Sequence, residues 1–526
     1  MLRKYFFYPA LFIICWVYAV RFNDIDYDFW ARLAAGKLFL QTGGVINHDI
    51  FSYTITKLWI DHEWGSGVIF YFLADKFGDI GLIALKVTLM FTILFLVSRI
   101  IKLQNPQPDS YKNILFYLLV ILATFYGICH TVRCQLFTFT FFTLWIYVLE
   151  RVRRGETRLL WIMPVIMLIW ANLHGGFVAG IGLLLIYGVG EFLNQKPCRK
   201  YFIALLPTAL VTLINPYGLK YLQYIFYATT MDRFLIGEWQ ITNLFYSWNT
   251  WIIIKIVILI SAISIIYFFI KNKPNFKEID KVKFILLGIT LYLALNHIKH
   301  QSFFVISAAS FLYHDFYAIF REIGKYINHK ILYVLDLSKN AIIYTIILGC
   351  GLFLMIFNPI CTIVPINKFP VGAVEFIRQN NIKGNLVSVF HWGSYIAWKL
   401  YPNCLIALDG RFEEVYPEET FYLVHRLINY NSSPHKNISW DNFLKIYDTD
   451  IILASKLTQN YKNAYEALKQ EKNWKMVFED EFSAVFIRKE LARNDYKKPE
   501  LSIDLLLDKK YDTNIHFKRG NTNASL

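Results

Sequence analysis

Long apolar stretches recur through the first two thirds of the chain, near 5–21, 80–99, 113–129, 134–150, 159–172, 176–191, 201–215, 251–270, 283–296, 302–320 and 341–359. A helix crosses a bilayer in about 20 apolar residues, because only a helix or a closed barrel satisfies its backbone polar groups inside lipid. The pattern predicts a mainly α polytopic membrane protein of about eleven transmembrane helices, several of them shorter than a full crossing. Composition agrees. Of 526 residues, 56% are hydrophobic and 18% charged, whereas a soluble domain carries about a quarter charged residues. A soluble enzyme, a secreted disulfide scaffold and a disordered regulator are excluded on that ground. The seven cysteines form no CxxC pair and show no metal-ligand spacing.

Residues 2–20 have the basic start and apolar core of a signal peptide, but no small-x-small cleavage site follows, so a retained first helix is expected. With the N-terminus inside, the inner loops hold Arg3, Lys4, Arg99, Lys102, Lys112, Arg151, Arg153, Arg154, Lys196, Arg199, Lys271, Lys273, Lys330 and Lys339, among others. The outer loops hold roughly half as many basic residues or fewer, the asymmetry expected of a correct orientation. The net charge of +15 is thereby explained by cytoplasmic loops, and no nucleic-acid partner is expected. An odd number of spans leaves the C-terminal region outside. The chain reads as a membrane module over 1–361, whose first outer loop (22–79) carries the site. An extracytoplasmic α/β domain follows at 362–490, and a polar tail at 491–526. Strand-like runs "NLVSVF", "CLIALD", "TDIILA" and "WKMVF" mark that domain, and helical patterns cover 417–430 and 460–470. Further helix-like stretches lie in the first loop at 28–41 and 65–76.

Polar groups are costly inside lipid, so their distribution is informative. On this topology carboxylates, histidines and cations gather at the outer boundary. In "DIDYDFW", Asp26 and Asp28 offer a general base with a second carboxylate beside it. The competing role is to cap the helix that starts near Phe29. The same loop holds Asp49, His62 and Glu63, while His130 and Arg133 bracket a very short outer turn. A guanidinium such as Arg133 holds a phosphate bidentately. "WANLHGGF" carries His174 ahead of a glycine pair, "NPYG" forms a turn, and "NHIKHQ" concentrates His297, Lys299 and His300. Asp409, Gly410 and Arg411 follow an apolar strand, at the end where α/β folds place ligands, although an Asp–Arg pair that stabilises the loop is the favoured reading. No Walker loop, GxGxxG, HExxH or GxSxG occurs, which removes nucleotide-driven pumping and standard serine or zinc hydrolysis.

These motifs carry a family resemblance. In order they are D-x-D-x-W (Asp26–Trp30), D-x-F-S-Y-T (Asp49–Thr54), H-E-W (His62–Trp64), W-x-N-x-H-G-G (Trp170–Gly176), N-P-Y-G (Asn215–Gly218) and D-G-R (Asp409–Arg411). The chain resembles the GT-C superfamily of integral membrane glycosyltransferases, which includes protein O-mannosyltransferases and lipid A aminoarabinose transferases, and within it a bacterial subgroup sharing this series. Where several relatives have Asp-Glu near the first helix, this chain has Asp26-Tyr27-Asp28, so either carboxylate is a candidate base. Relatives in the subgroup often have Arg-Pro-Gln where this chain has Arg133-Cys134-Gln135.

The resemblance implies transfer of a sugar, with inversion, from a polyprenyl phosphate to an acceptor hydroxyl on a lipid, glycan or protein. The reaction would occur at the extracytoplasmic face of a bacterial cytoplasmic membrane, among membrane lipids. Asp26 or Asp28 would be the catalytic base, and Arg133, His174, Lys299 and His300 would bind the donor phosphate. Asp49, His62, Glu63, Trp30 and Trp64 would shape the acceptor or sugar pocket. No cofactor is expected. Asp26, Asp28 and Glu63 are the candidates for a divalent cation, which ranks below a metal-free site. The alternatives are a flippase for lipid-linked sugars, and a glycan ligase or polymerase using a lipid diphosphate donor.

Overall fold

Every apolar run of the sequence is helical over most of its length. In the computed structural model the helices are α1 (Leu2–Arg21), α2 (Phe29–Thr42), α3 (Trp64–Gln104), α4 (Ile114–Phe125), α5 (Gln135–Arg153), α6 (Met163–Leu173), α7 (Val178–Leu193), α8 (Arg199–Leu210), α9 (Leu219–Thr230), α10 (Ile252–Asn272), α11 (Lys281–Asn296) and α12 (Gln301–Tyr326), with a further helix at Ala341–Phe357. The structure describes residues 2–104, 113–125, 131–231, 233, 236–245, 251–326, 341–357, 362, 364–428 and 442–499. His130, Lys112, Lys330, Lys339 and the tail from 500 onward lie outside them.

Among the described residues, four segments are long and apolar enough to cross a membrane: Trp64–Gln104, Gly175–Leu193, Ile252–Asn272 and Ile298–Ile323. The expected runs are helical, and these four are the candidate crossings among the described residues. The stretch 65–76, expected as a separate loop helix, is the first part of α3. The helix kinks at Gly78, whose φ of 59° and ψ of −146° suit glycine.

The chain divides into two compact units. One comprises Met1–Asn23, His62–Ser66 and Asp79–Cys361; the other comprises Asp24–Asp61, Gly67–Gly78 and Thr362–Leu526. Most of residues 22–79, expected as the first outer loop, thus fold with the C-terminal domain.

In the helical unit, the charged ends of α5 and α7 and the start of α11 are tied by one guanidinium. Arg153 Nη1 lies 3.0 Å from Glu150, and its Nη2 lies 2.9 Å from both Glu191 and Asp280. Asp280 also caps α11, accepting the Val282 N–H. Glu150 and Glu191 are buried, so the ion pairs are what makes their burial tolerable.

The second unit contains a five-stranded sheet: β1 (Gly384–Ser388), β2 (Cys404–Ile406), β3 (Ile451–Ser455), β4 (Trp474–Glu479) and β5 (Ser483–Arg488), in the order β2-β1-β3-β5-β4. β2, β1 and β3 run parallel, while β5 and β4 run antiparallel. All four expected strands are present. The fifth, β5, closes a hairpin with β4 that was not read from the sequence. The D-x-F-S-Y-T motif covers the β2 edge: Ile406 N–H donates to Phe51 O at 2.8 Å and Tyr53 N–H donates to Ile406 O at 3.1 Å. An exposed sheet edge invites pairing with other chains, and this segment occupies it. α2 is buried nearly all round, including Trp30, Arg32 and Lys37, and packs on the helix Gly393–Leu400.

Candidate active site

The two early aspartates lie in different surroundings. Asp26 Oδ1 accepts the Asp28 N–H at 3.1 Å, closing the turn that starts α2. Asp28 holds the N-cap position by its backbone, and its side chain makes no capping bond. Its carboxylate Oδ1 lies instead against Gly410, beyond the carboxyl end of β2. Between the acids, Tyr27 meets His391 edge-on at 4.9 Å, in the loop after β1. Asp24 is paired with Lys368 at 2.9 Å. The D-x-D loop therefore rests on the carboxyl ends of the parallel strands, where α/β sheets place ligands.

The D-G-R motif acts behind this surface. Arg411 Nε binds Asp409 at 2.9 Å and its Nη1 binds Asp49 at 2.6 Å, with all three side chains almost wholly buried. Tyr416 Oη is 2.6 Å from Ser52 Oγ. Burial alone would raise the Asp49 carboxyl, but the Arg411 guanidinium and the Ser52 and Phe51 bonds hold it below the usual range. Burial raises Asp409, against the opposing pull of Arg411. One guanidinium serves two buried carboxylates, and its charge offsets the desolvation of both. Asp49, expected at the sugar pocket, is thus committed to Arg411. Trp30, also expected there, is fully buried and meets Tyr395 edge-on at 5.0 Å, so it packs the core. A parallel set holds α2: Arg32 pairs with Asp61 and, at 2.5 Å, with Glu414, whose other oxygen accepts the Trp59 indole N–H at 3.0 Å.

In the helical unit, three more motifs converge. His174 Nδ1 accepts the Gly176 N–H at 2.8 Å and lies 2.8 Å from Thr138 Oγ1, which in turn accepts the Trp170 indole N–H at 2.9 Å. With Nδ1 accepting, the neutral ring carries its proton on Nε2, and Nε2 is 3.2 Å from Glu63 Oε1. Burial lowers the His174 imidazole, with Glu63 opposing, so at neutral pH it orients Glu63 as an uncharged donor. His62 Nε2 is 3.7 Å from the same oxygen, and Tyr224 Oη is 3.3 Å from His62 Nδ1. The Trp64 indole N–H donates to Asn172 Oδ1 at 3.1 Å, while Asn172 Nδ2 donates to Ile214 O at 2.9 Å, beside N-P-Y-G. The glycine pair is steric: a β-carbon at Gly175 would come 2.8 Å from the His62 ring, and one at Gly176 2.5 Å from Thr138 Oγ1. Asp26 and Asp28 belong to one unit and Glu63 to the other, so that expected trio is not a cluster within either.

The expected phosphate-binding cations of this unit form a second group. Arg133 pairs with Glu238 through both terminal nitrogens. Lys299 Nζ lies 3.2 Å and Arg233 Cζ 4.1 Å from the centre of the Trp239 ring. His297 Nδ1 is 2.8 Å from Trp239 O, and the His300 ring is 5.9 Å from the indole. Five basic side chains thus gather on the short segment Gly237–Trp239, and each cation–π contact contributes about 0.5–2 kcal/mol. His174 is not part of this group. Arg233, Trp239, Thr138 and Tyr224 were missed in the sequence, which gives no sign that residues so far apart meet.

No family model matches the chain, and no curated protein matches it. Among solved structures, the oligosaccharyltransferase of Archaeoglobus fulgidus is similar. Its apo form matches 85% of this chain and 69% of its own, with a TM-score of 0.57 at 8% identity. The same enzyme tethered through a disulfide to an acceptor peptide containing the NVT sequon matches equal shares, with a TM-score of 0.54 at 9% identity. At such identities the likeness is one of fold alone.

Proposed function

We propose, from the oligosaccharyltransferase-like fold, that the chain is a membrane glycosyltransferase using a polyprenyl-phosphate-linked sugar at the extracytoplasmic face of a bacterial cytoplasmic membrane. The observation that carries this reading is the fold likeness over 85% of the chain. Asp28 is the base. It takes the proton of the acceptor hydroxyl as that oxygen attacks the anomeric carbon, and the lipid phosphate leaves from the opposite side of the ring, which inverts the centre. Arg133, Lys299 and His300 bind the donor phosphate and stabilise its growing negative charge. His62, Glu63 and Trp64 shape the sugar or acceptor pocket, with His174 orienting Glu63. Asp26, Asp49 and Trp30 support these groups. The mechanism assigns no cofactor, and the acceptor is a lipid, glycan or protein.

A second reading is favoured by the neighbours themselves, which are oligosaccharyltransferases, one with a peptide acceptor. In that reading a whole glycan passes from a lipid diphosphate. The test uses the full chain in proteoliposomes with tritiated polyprenyl-linked sugars extracted from its own host cells. Sugar transfer moves label from the lipid phase to an acceptor, and product mass separates one sugar from a block. Label that crosses the vesicle still attached to lipid marks a flippase and overturns both readings.

A further inference from the structure

We infer that Gly410 is a positioning residue for Asp28: the side chain that Gly410 lacks leaves the space occupied by the Asp28 carboxylate. The inference rests on the proposed role of Asp28 as base. A β-carbon at Gly410 would lie 2.6 Å from Asp28 Oδ1 and 3.4 Å from Ser394 Oγ, and real β-carbons essentially never come within 3.0 Å of another heavy atom. Backbone conformation does not explain a glycine here, because Gly410 is not among the residues with positive φ. Close approach does.

The surroundings decide which partner would yield. The turn is clamped: Gly410 N–H donates to Ser394 Oγ at 3.2 Å, and Asp409 and Arg411 on either side are each 1% exposed. Arg411 N–H also donates to Asp409 Oδ1 at 3.1 Å, and Arg411 Nη1 reaches Asp49. Asp28 meets this wall with the end of a short side chain whose backbone is fixed at the start of α2. An added methyl therefore moves the carboxylate rather than the turn. The D-x-D and D-G-R motifs, which lie at opposite ends of the chain, are in this way one device. Displacing a reacting group by a fraction of an ångström leaves donor binding intact and slows the chemical step.

The experiment compares wild type, Gly410→Ala and Asp28→Asn as full chains in proteoliposomes, with the tritiated polyprenyl-linked sugars as donor. Gly410→Ala lowers kcat about tenfold or more, with the half-saturating donor concentration and the melting temperature unchanged, while Asp28→Asn is inactive. Wild-type kcat in Gly410→Ala beside an inactive Asp28→Asn overturns the inference and leaves the role of Asp28 standing. Full activity in Asp28→Asn overturns that role and the inference with it. A lowered melting temperature with a raised half-saturating concentration marks a merely structural glycine and also overturns it. Should Gly410→Ala not fold, Ser394→Ala removes the oxygen that holds the turn without adding bulk. It loses kcat at unchanged half-saturation, and wild-type kcat there overturns the inference.

Discussion

Asp26 and Asp28 meet different groups: Asp26 Oδ1 accepts the Asp28 N–H, and Asp28 Oδ1 lies against Gly410. Asp26 spends an oxygen on the Asp28 N–H, and asparagine keeps such an acceptor, so Asp26→Asn should retain most of the transfer rate of the wild type. Asp26→Ala loses the bond and about 1 kcal/mol of stability, read by thermal melting. A second residue-scale prediction concerns acid. Burial pushes the His391 imidazole from 6.5 down to about 4. Between those values the unfolded chain binds a proton that the folded chain does not. Stability therefore falls as pH drops from 6.5 to 4, by up to about 3 kcal/mol, and His391 adds no slope above that window. Unfolding measured across this range should show the decline, and His391→Gln should flatten it. What each aspartate touches was not legible in the sequence, because an acid before a helix serves equally as cap or base. The burial of His391 was also hidden, since it depends on the packing of Tyr27 from a distant loop.

At the scale of elements, the sequence reading was most reliable where apolar runs are long and uninterrupted. The helices and the strands β1 to β4 follow such runs. It failed where continuity depends on one residue: the sequence around Gly78 reads as the end of a loop, yet α3 passes through it with a kink. It also missed β5, which pairs antiparallel with both β3 and β4. Close packing between elements gives direct tests. Gly176→Ala pushes a methyl toward Thr138 Oγ1 and His174 Nδ1, and should cost about 1–3 kcal/mol by denaturant unfolding in detergent. Arg411→Met leaves Asp49 and Asp409 buried without their cation and should cost about 3–5 kcal/mol by the same measurement.

For the whole molecule, the motifs were legible and their grouping was not. H-E-W, W-x-N-x-H-G-G and N-P-Y-G meet in the helical unit, whereas D-x-D, D-x-F-S-Y-T and D-G-R meet in the unit with the sheet. Partners such as Arg411 and Asp49, separated by 362 positions, have no local signature, because charge pairing is set by the tertiary fold. The likeness to an oligosaccharyltransferase at 8% identity is likewise one of fold and has no local signature in the residues. What turns this fold into an enzyme, on the proposed reading, is one carboxylate. The most direct measurement is the initial rate of sugar transfer by Asp28→Asn, in a preparation whose melting temperature matches the wild type. Loss of a general base lowers such rates by about two to four orders of magnitude, and that is the predicted result. Transfer at the wild-type rate would contradict it.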